Sequence, residues 1–208
     1  MRPPHAAVVA LLVLACALLP SRAPAQAAGG TRPISVVVSG GATVPTGGFK
    51  DYHDLGMHAD VSLLLNLLGQ SLRIRPELTY GRFALSDDIR SALQLAGQGA
   101  SGSATSAAYG SDAVSTLLGG FGNIEVPLAG GLYVLAGVGA VGLSTDATTG
   151  GQSINTTNLS YNGGAGVRFK VGRIAGFLEG RLTGISVDKG KALFKDVRTV
   201  PVTFGLVF

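Results

Sequence analysis

The side chains best equipped for chemistry cluster early in the chain, in Asp51-Tyr52-His53-Asp54 and then His58 and Asp60. Imidazoles and carboxylates are donors for a transition metal, and a histidine beside a carboxylate is a minimal acid–base pair. On a strand, His58 and Asp60 at i and i+2 project from one face. The spacing is not that of an HExxH motif, and the only cysteine, Cys16, falls in a leader segment. A Ser–His–acid arrangement is spatial rather than sequential, and His53 and His58 are the histidines available to one once the leader is gone. The competing reading is a solvated first loop running into a polar strand face. It is the one adopted here, with no catalytic residue, metal or cofactor assigned. A second group is basic: Lys189, Lys191 and Lys195 fall in Asp188-Lys189-Gly190-Lys191-Ala192-Leu193-Phe194-Lys195. Such ammonium groups can contact phosphates, including those of lipopolysaccharide; the alternative is a solvated turn.

What these groups can do depends on the elements that hold them, and composition narrows those. Of 208 residues, 46% are hydrophobic and 13% charged, against roughly 25% charged in ordinary soluble domains. Yet outside the N-terminus no apolar run reaches the roughly 18 residues of a spanning helix. The longest, Leu132 to Leu143, is broken by three glycines. Glycine supplies 32 of the 208 residues, about twice its usual ~7%. An apolar, glycine-rich chain without long apolar runs fits a membrane β-barrel, where alternate residues stay polar or small.

Residues 1–27 read as a signal peptide. Arg2 is followed by the apolar stretch Ala6 to Leu19, then by the small-residue sites Ala23-Pro24-Ala25 and Ala25-Gln26-Ala27. Cleavage after Ala25 or Ala27 would leave residues 28–208 as the exported domain. Val13-Leu14-Ala15-Cys16 also loosely resembles a lipoprotein signal, but the apolar residues Ala17 to Pro20 after the cysteine are unusual there. Loss of Arg2 and Arg22 from the 16 basic residues leaves 14 against 12 acidic. That balance is no footprint for nucleic acid.

Eight segments alternate with period two, the mark of strands: Ile34–Thr43, Gly56–Leu67, Ser71–Phe83, Val114–Val126, Leu132–Ser144, Thr157–Val171, Arg173–Ser186 and Val197–Phe208. The links alternate in length. Short ones fall at Leu68–Gln70, Pro127–Gly131 and Gly172, long ones at Val44–Leu55, Ala84–Ala113, Thr145–Thr156 and Asp188–Asp196. Outer-membrane barrels have short periplasmic turns and longer outer loops. Within the longest link, Ser86-Asp87-Asp88-Ile89 opens like a capped helix, and Gly97 to Gly110 is rich in Gly, Ser and Ala.

Charge sorts the faces. In the third segment Leu72, Ile74, Pro76, Leu78 and Tyr80 oppose Arg73, Arg75, Glu77, Thr79 and Gly81. In the sixth, Leu159, Tyr161, Ala165, Val167 and Phe169 oppose Ser160, Asn162, Arg168 and Lys170. Asp60, Glu77, Glu125 and Glu179 nearly balance Arg73, Arg75, Arg168, Lys170 and Arg181. Facing lipid, each charge near the midplane would cost up to about 2–4 kcal/mol. Facing inward they can pair, so the sequence predicts a lumen closed by the network Asp60, Arg73, Arg75, Glu77, Glu125, Arg168, Glu179 and Arg181. Tyr80 and Tyr161 would mark one interfacial girdle, Phe169 and Phe208 the other.

With these features the chain resembles the small eight-stranded outer-membrane barrels of the OmpX, Ail and OmpA-barrel type. The most specific part is Val200-Pro201-Val202-Thr203-Phe204-Gly205-Leu206-Val207-Phe208. The resemblance implies that an amphipathic last strand bearing Phe204, Leu206 and Phe208 is what the barrel-assembly machinery recognises. It also implies contact with outer-membrane lipids and lipopolysaccharide, and a monomer lacking the further peptidoglycan-binding domain of the OmpA type. Some barrels of this size act on lipid; their deacylases place a His–Ser pair late in the chain, and here no histidine follows His58. The expectation is therefore an all-β, eight-stranded antiparallel up-and-down barrel with a structural or surface-interaction role carried by its loops. The alternatives are a porin-like channel for small solutes and a lipid-modifying enzyme.

Overall fold

A computed structural model describes residues 33–67, 71–89, 91, 114–146, 154–172, 174–186 and 197–208. Residues 1–32, which include the expected leader and Cys16, the Gly/Ser/Ala-rich stretch 97–110 and the lysines Lys189, Lys191 and Lys195 lie outside those residues. Eight strands follow in order: β1 (Ile34–Thr46), β2 (Gly56–Leu67), β3 (Leu72–Ala84), β4 (Val114–Pro127), β5 (Leu132–Asp146), β6 (Ile154–Val171), β7 (Ile174–Ile185) and β8 (Val197–Val207). Each pairs antiparallel with its neighbours, and β8 closes on β1. Closure leaves no sheet edge, so strand N–H and C=O groups are satisfied within the sheet. No helix among the described residues is long and apolar enough to cross a membrane.

The strands outrun the sequence expectation mainly at the loop end. β1 runs on to Thr46, and β6 begins at Ile154 rather than Thr157. The added residues are not marked by apolar alternation, but ladder pairing on one side, with β8 for the end of β1 and with β5 for the start of β6, holds them extended. A single 3-10 turn, Gly47–Phe49, follows β1, and residues 87–89 are helical after β3.

The register fixes the barrel's shape. Hydrogen-bonded partners lead from Val134 through Ala165, Gly180, Val202, Ala42, Met57, Arg82 and Thr116 to Ser144, ten residues further along β5. Such a stagger requires strands tilted at about 35–45° to the barrel axis. Residues at one height on adjacent strands are therefore offset by about one and a quarter positions.

Alternation then divides the residues. Met57, Leu78, Leu118, Val138, Leu159, Leu182 and Phe204 are exposed around the outside. Inside, Arg75, Glu77, Asn123, Glu125, Glu179 and Arg181 are buried. The interior is not uniformly polar. Towards the loop end Phe49, Phe83, Leu117, Phe121, Val141, Leu143, Ile185 and Val197 form an apolar cluster. Towards the turn end Val37, Leu64, Tyr133, Leu135 and Phe177 form another.

Glycine makes room for the aromatic rings. Tyr133 is the cross-strand partner of Gly166, Phe177 of Gly205 and Phe121 of Gly139. On the outside Tyr161 is paired with Gly184 and Phe169 with Gly176. A Cβ at any of these glycines would overlap the ring opposite, so each ring lies over a bare backbone and shields it, the device known as aromatic rescue. Gly166→Ala should therefore destabilise the barrel by about 1–3 kcal/mol through overpacking. Gly180→Ala, where a Cβ meets nothing within 4 Å, should be neutral; urea titration of the two refolded variants in detergent compares them.

Candidate functional site: the charged lumen

Between the apolar clusters, arginines and glutamates cross the lumen from wall to wall. Arg75 on β3 donates from Nη1 to Glu179 Oε2 at 2.9 Å and from Nη2 to Glu77 Oε2 at 2.9 Å. Arg181 on β7 donates back to Glu77, with Nη1 to Oε1 at 2.6 Å and Nη2 to Oε2 at 2.7 Å, and also to its neighbour Glu179. Two arginines and two glutamates thus form a closed square linking β3 to β7. The Tyr133 hydroxyl donates to Glu179 at 2.7 Å, and Phe177 lies under the Arg75 guanidinium at 5.3 Å.

A second group sits nearer the turn end. Glu125 on β4 accepts from Arg73 at 2.9 Å and from Arg168 on β6 at 2.7 Å, with Arg75 at 3.7 Å. Arg168 also stacks over Tyr133 at 4.9 Å. Seven of the eight residues assigned to the network from sequence are brought together in these two groups. The eighth, Asp60, stands apart towards the loop end. Its Oδ2 accepts from Ser39 Oγ at 3.3 Å and lies 3.6 Å from His58 Nε2. Lys170, counted with the inward charges from sequence, is exposed at the turn end of β6.

The two histidines separate. His58 bridges Thr43 and Thr203, each hydroxyl 2.8 Å from a ring nitrogen. His53 is not in a solvated loop. It is 2% exposed, stacks on Phe49 with ring centroids 4.1 Å apart, and its Nε2 is 2.7 Å from Ser115 Oγ. An isolated bridge between His53 and Leu85, with Asp54 N–H donating to Ala84 and Ser86 N–H to Tyr52, seals this segment over the loop end. Phe49 fills the mouth beneath it, against Phe83 at 5.2 Å. A loop histidine among Asp51, Tyr52 and Asp54 looks solvated in sequence because nothing local shows that β3 and β4 will fold against it. Among the described residues no group of three His, Cys, Asp or Glu could hold a metal.

The lumen aromatics were also missed. Phe83 continues the inward parity of Arg73 to Gly81 by one step, so extending the pattern finds it. Tyr133 and Leu135 sit on β5, whose stretch from Leu132 to Leu143 lacks charges to distinguish its faces until the register is known.

At the end of the last strand, Phe204 is exposed and stacks on Phe169 at 6.2 Å, Leu206 is half-buried, and Phe208 is exposed. The Phe208 backbone exchanges two hydrogen bonds with Val36, at 2.9 and 3.2 Å.

No family model and no curated protein matches the sequence. Solved structures do. Neisserial surface protein A (NspA) aligns with a TM-score of 0.53 at 13% identity, over 86% of this chain and 98% of that one. A major outer membrane protein from Thermus thermophilus gives 0.49 at 11% identity over 85% and 99%. The attachment invasion locus protein Ail of Yersinia pestis, in complex with the heparin analogue sucrose octasulfate, gives 0.47 at 12% over 84% and 96%. The chain has the fold of the small eight-stranded outer-membrane barrels.

Two outcomes follow from the buried groups. Arg75→Leu leaves Glu77 and Glu179 to share Arg181 alone, with one buried negative charge uncompensated, and should cost about 3–5 kcal/mol. The Arg75→Leu/Glu179→Leu double variant should lose less than the two singles summed, as measured by a denaturation double-mutant cycle. Burial pushes the His53 imidazole down to about 4, against an opposing contact with the Phe49 backbone. Between that value and the usual ~6.5 the closed state keeps His53 neutral while the open state binds a proton. Stability should therefore fall as pH drops through this window and level off below it. His53→Gln should flatten the slope, and an NMR titration should find the His53 ring uncharged at about pH 5.5, within that window.

Proposed function

We propose that this chain is an integral outer-membrane protein, exported by a cleaved leader, whose barrel is closed to solutes and whose role is structural or in surface interaction through its loop end. One observation carries the reading: the closed barrel is apolar outside and carries paired charges inside. Leu159 is 70% and Met57 72% exposed, while Arg75 and Glu125 are fully buried. In water that distribution is backwards; in lipid the outer side chains are solvated and the charges stay paired.

Height on the barrel supports it. Levelled for the stagger, Tyr80 and Tyr161 share one height on the outward face, and Phe169 and Phe208 another. About eight residues of tilted strand, roughly 20 Å, separate the two levels, comparable with the ~25 Å apolar band of such barrels. Arg82 and Arg198, exposed and outward, come level with each other just beyond the tyrosines, where lipopolysaccharide phosphates would lie. The exposed Phe204 and Phe208 and half-buried Leu206 fit a lipid-facing segment available to the assembly machinery. An outer surface apolar on every side suits a monomer surrounded by lipid.

The square of Arg75, Glu77, Glu179 and Arg181 bars the lumen, with apolar clusters above and below it, which favours a closed barrel over a channel. The His53–Ser115 pair resembles the start of a nucleophilic site, but Ser115 is fully buried, on β4 opposite Phe83. Its role is to fix the mouth rather than to turn over a substrate.

Refolded protein should migrate differently on a gel before and after boiling and give no stable conductance steps in planar bilayers. A missing heat shift would sink the membrane assignment, whereas steps of reproducible size would sink the closed lumen alone.

A further inference from the structure

Among the described residues, Asp60 is the lumen carboxylate that no arginine ion-pairs with. Four acids and four arginines balance inside the barrel, but not locally. Glu77 and Glu179 share Arg75 and Arg181, and Glu125 holds both Arg73 and Arg168 at the turn end. The counter-charge formally due to Asp60 thus sits at the opposite end of the network. Asp60 is 5% exposed; its hydrogen-bond donors are the hydroxyls of Ser39 and Thr79, and Arg75, engaged by the glutamates, acts on it only through space. His58 does not replace an arginine: its two nitrogens are engaged by Thr43 and Thr203, and its 3.6 Å separation from Asp60 exceeds a hydrogen bond.

Beside Asp60 lies a cavity of about 60 Å³. Glu77, Arg181, Phe83, Leu117 and Phe121 line it together with several threonines. Asn162 faces it from β6. Asn162 is 5% exposed, and neither its amide nitrogen nor its amide oxygen has a protein partner. The cavity contents must therefore both accept from and donate to Asn162. At about 10–15 Å³ of such volume per water, only a few water-sized groups fit.

We infer that this cavity is a site for one small monovalent cation with part of its water shell. Asp60 is the charged ligand, threonine hydroxyls are available as neutral oxygen ligands, and shell waters pair with both amide atoms of Asn162. A divalent metal is disfavoured because a single carboxylate without an arginine faces the cavity, and such ions take several charged oxygens. The inference rests on the interior geometry and not on the membrane assignment.

The test is refolding and crystallisation with rubidium chloride in place of sodium chloride. One anomalous difference peak should appear in the cavity within ligand distance of the Asp60 carboxylate, and it should be absent from Asp60→Asn. In solution, the urea midpoint of the wild type should rise with sodium or rubidium relative to choline chloride at equal ionic strength, since a ligand bound only by the folded state stabilises it. The rise should be reduced in Asn162→Leu, which keeps the carboxylate and serves if Asp60→Asn does not refold. A cavity holding only water, a peak that persists in Asp60→Asn, or equal midpoints in choline and sodium would each overturn the site.

Discussion

Closing β8 on β1 with a stagger of ten residues sets a narrow interior, and every interior side chain must be fitted to it. Eight strands leave room for side chains and little else. Charged residues placed there cannot be hydrated freely and must neutralise one another across the lumen. Arg75 and Arg181 do so by reaching the same pair of glutamates from opposite walls. The planar guanidinium suits this, because one group can serve two carboxylates with separate N–H donors. A lysine would supply charge without the fork.

The same narrowness accounts for the glycines. A ring directed inward at Tyr133, Phe121 or Phe177 needs space that a Cβ on the partner strand would occupy. Glycine therefore supplies volume where it faces a ring, and the ring in turn covers the exposed backbone. The apolar clusters formed in this way cap both ends of the charged layer. Water is largely excluded between them, which strengthens the ion pairs and makes an unpaired group there costly. The Asn162 amide, with neither atom paired to protein, faces the cavity in that layer beside Asp60, which is hydrogen-bonded but has no ion-pairing arginine.

Much of the barrel is legible in the sequence, for a physical reason. Period-two alternation is a local property, and charges in β2, β6 and β7, with those of β3 short of the outward Arg82 at its loop end, mark the inward face without knowledge of any partner. The sorting of Arg73, Arg75 and Glu77 away from Ile74 and Leu78 needs only parity. Pairing is not local. Nothing near Arg75 indicates that its carboxylate lies 104 positions away at Glu179, or that Asp60 is left without an arginine. β5 hides its faces because from Leu132 to Leu143 both are apolar or glycine, so the burial of Tyr133 emerges only from its register against Gly166. His53 is the plainest failure: its surroundings in sequence are polar, while its surroundings in space are Phe49, Phe83 and Ser115.

The seam between β1 and β8 also has a temporal meaning. Val37 pairs with Val207, so the first strand must wait for nearly the whole barrel sequence before its outer ladder is satisfied. Contacts this distant are slow to form because the chain entropy of a very long loop is lost before any pairing rewards it. The square of ion pairs has the same dependence: until β7 is in place, Arg75 lacks Glu179 and Glu77 lacks Arg181. A partly assembled sheet would hold unpaired charge on one face and bare hydrocarbon on the other. Such an intermediate is stable neither in water nor in lipid, so the barrel has few resting places between an open chain and a closed ring.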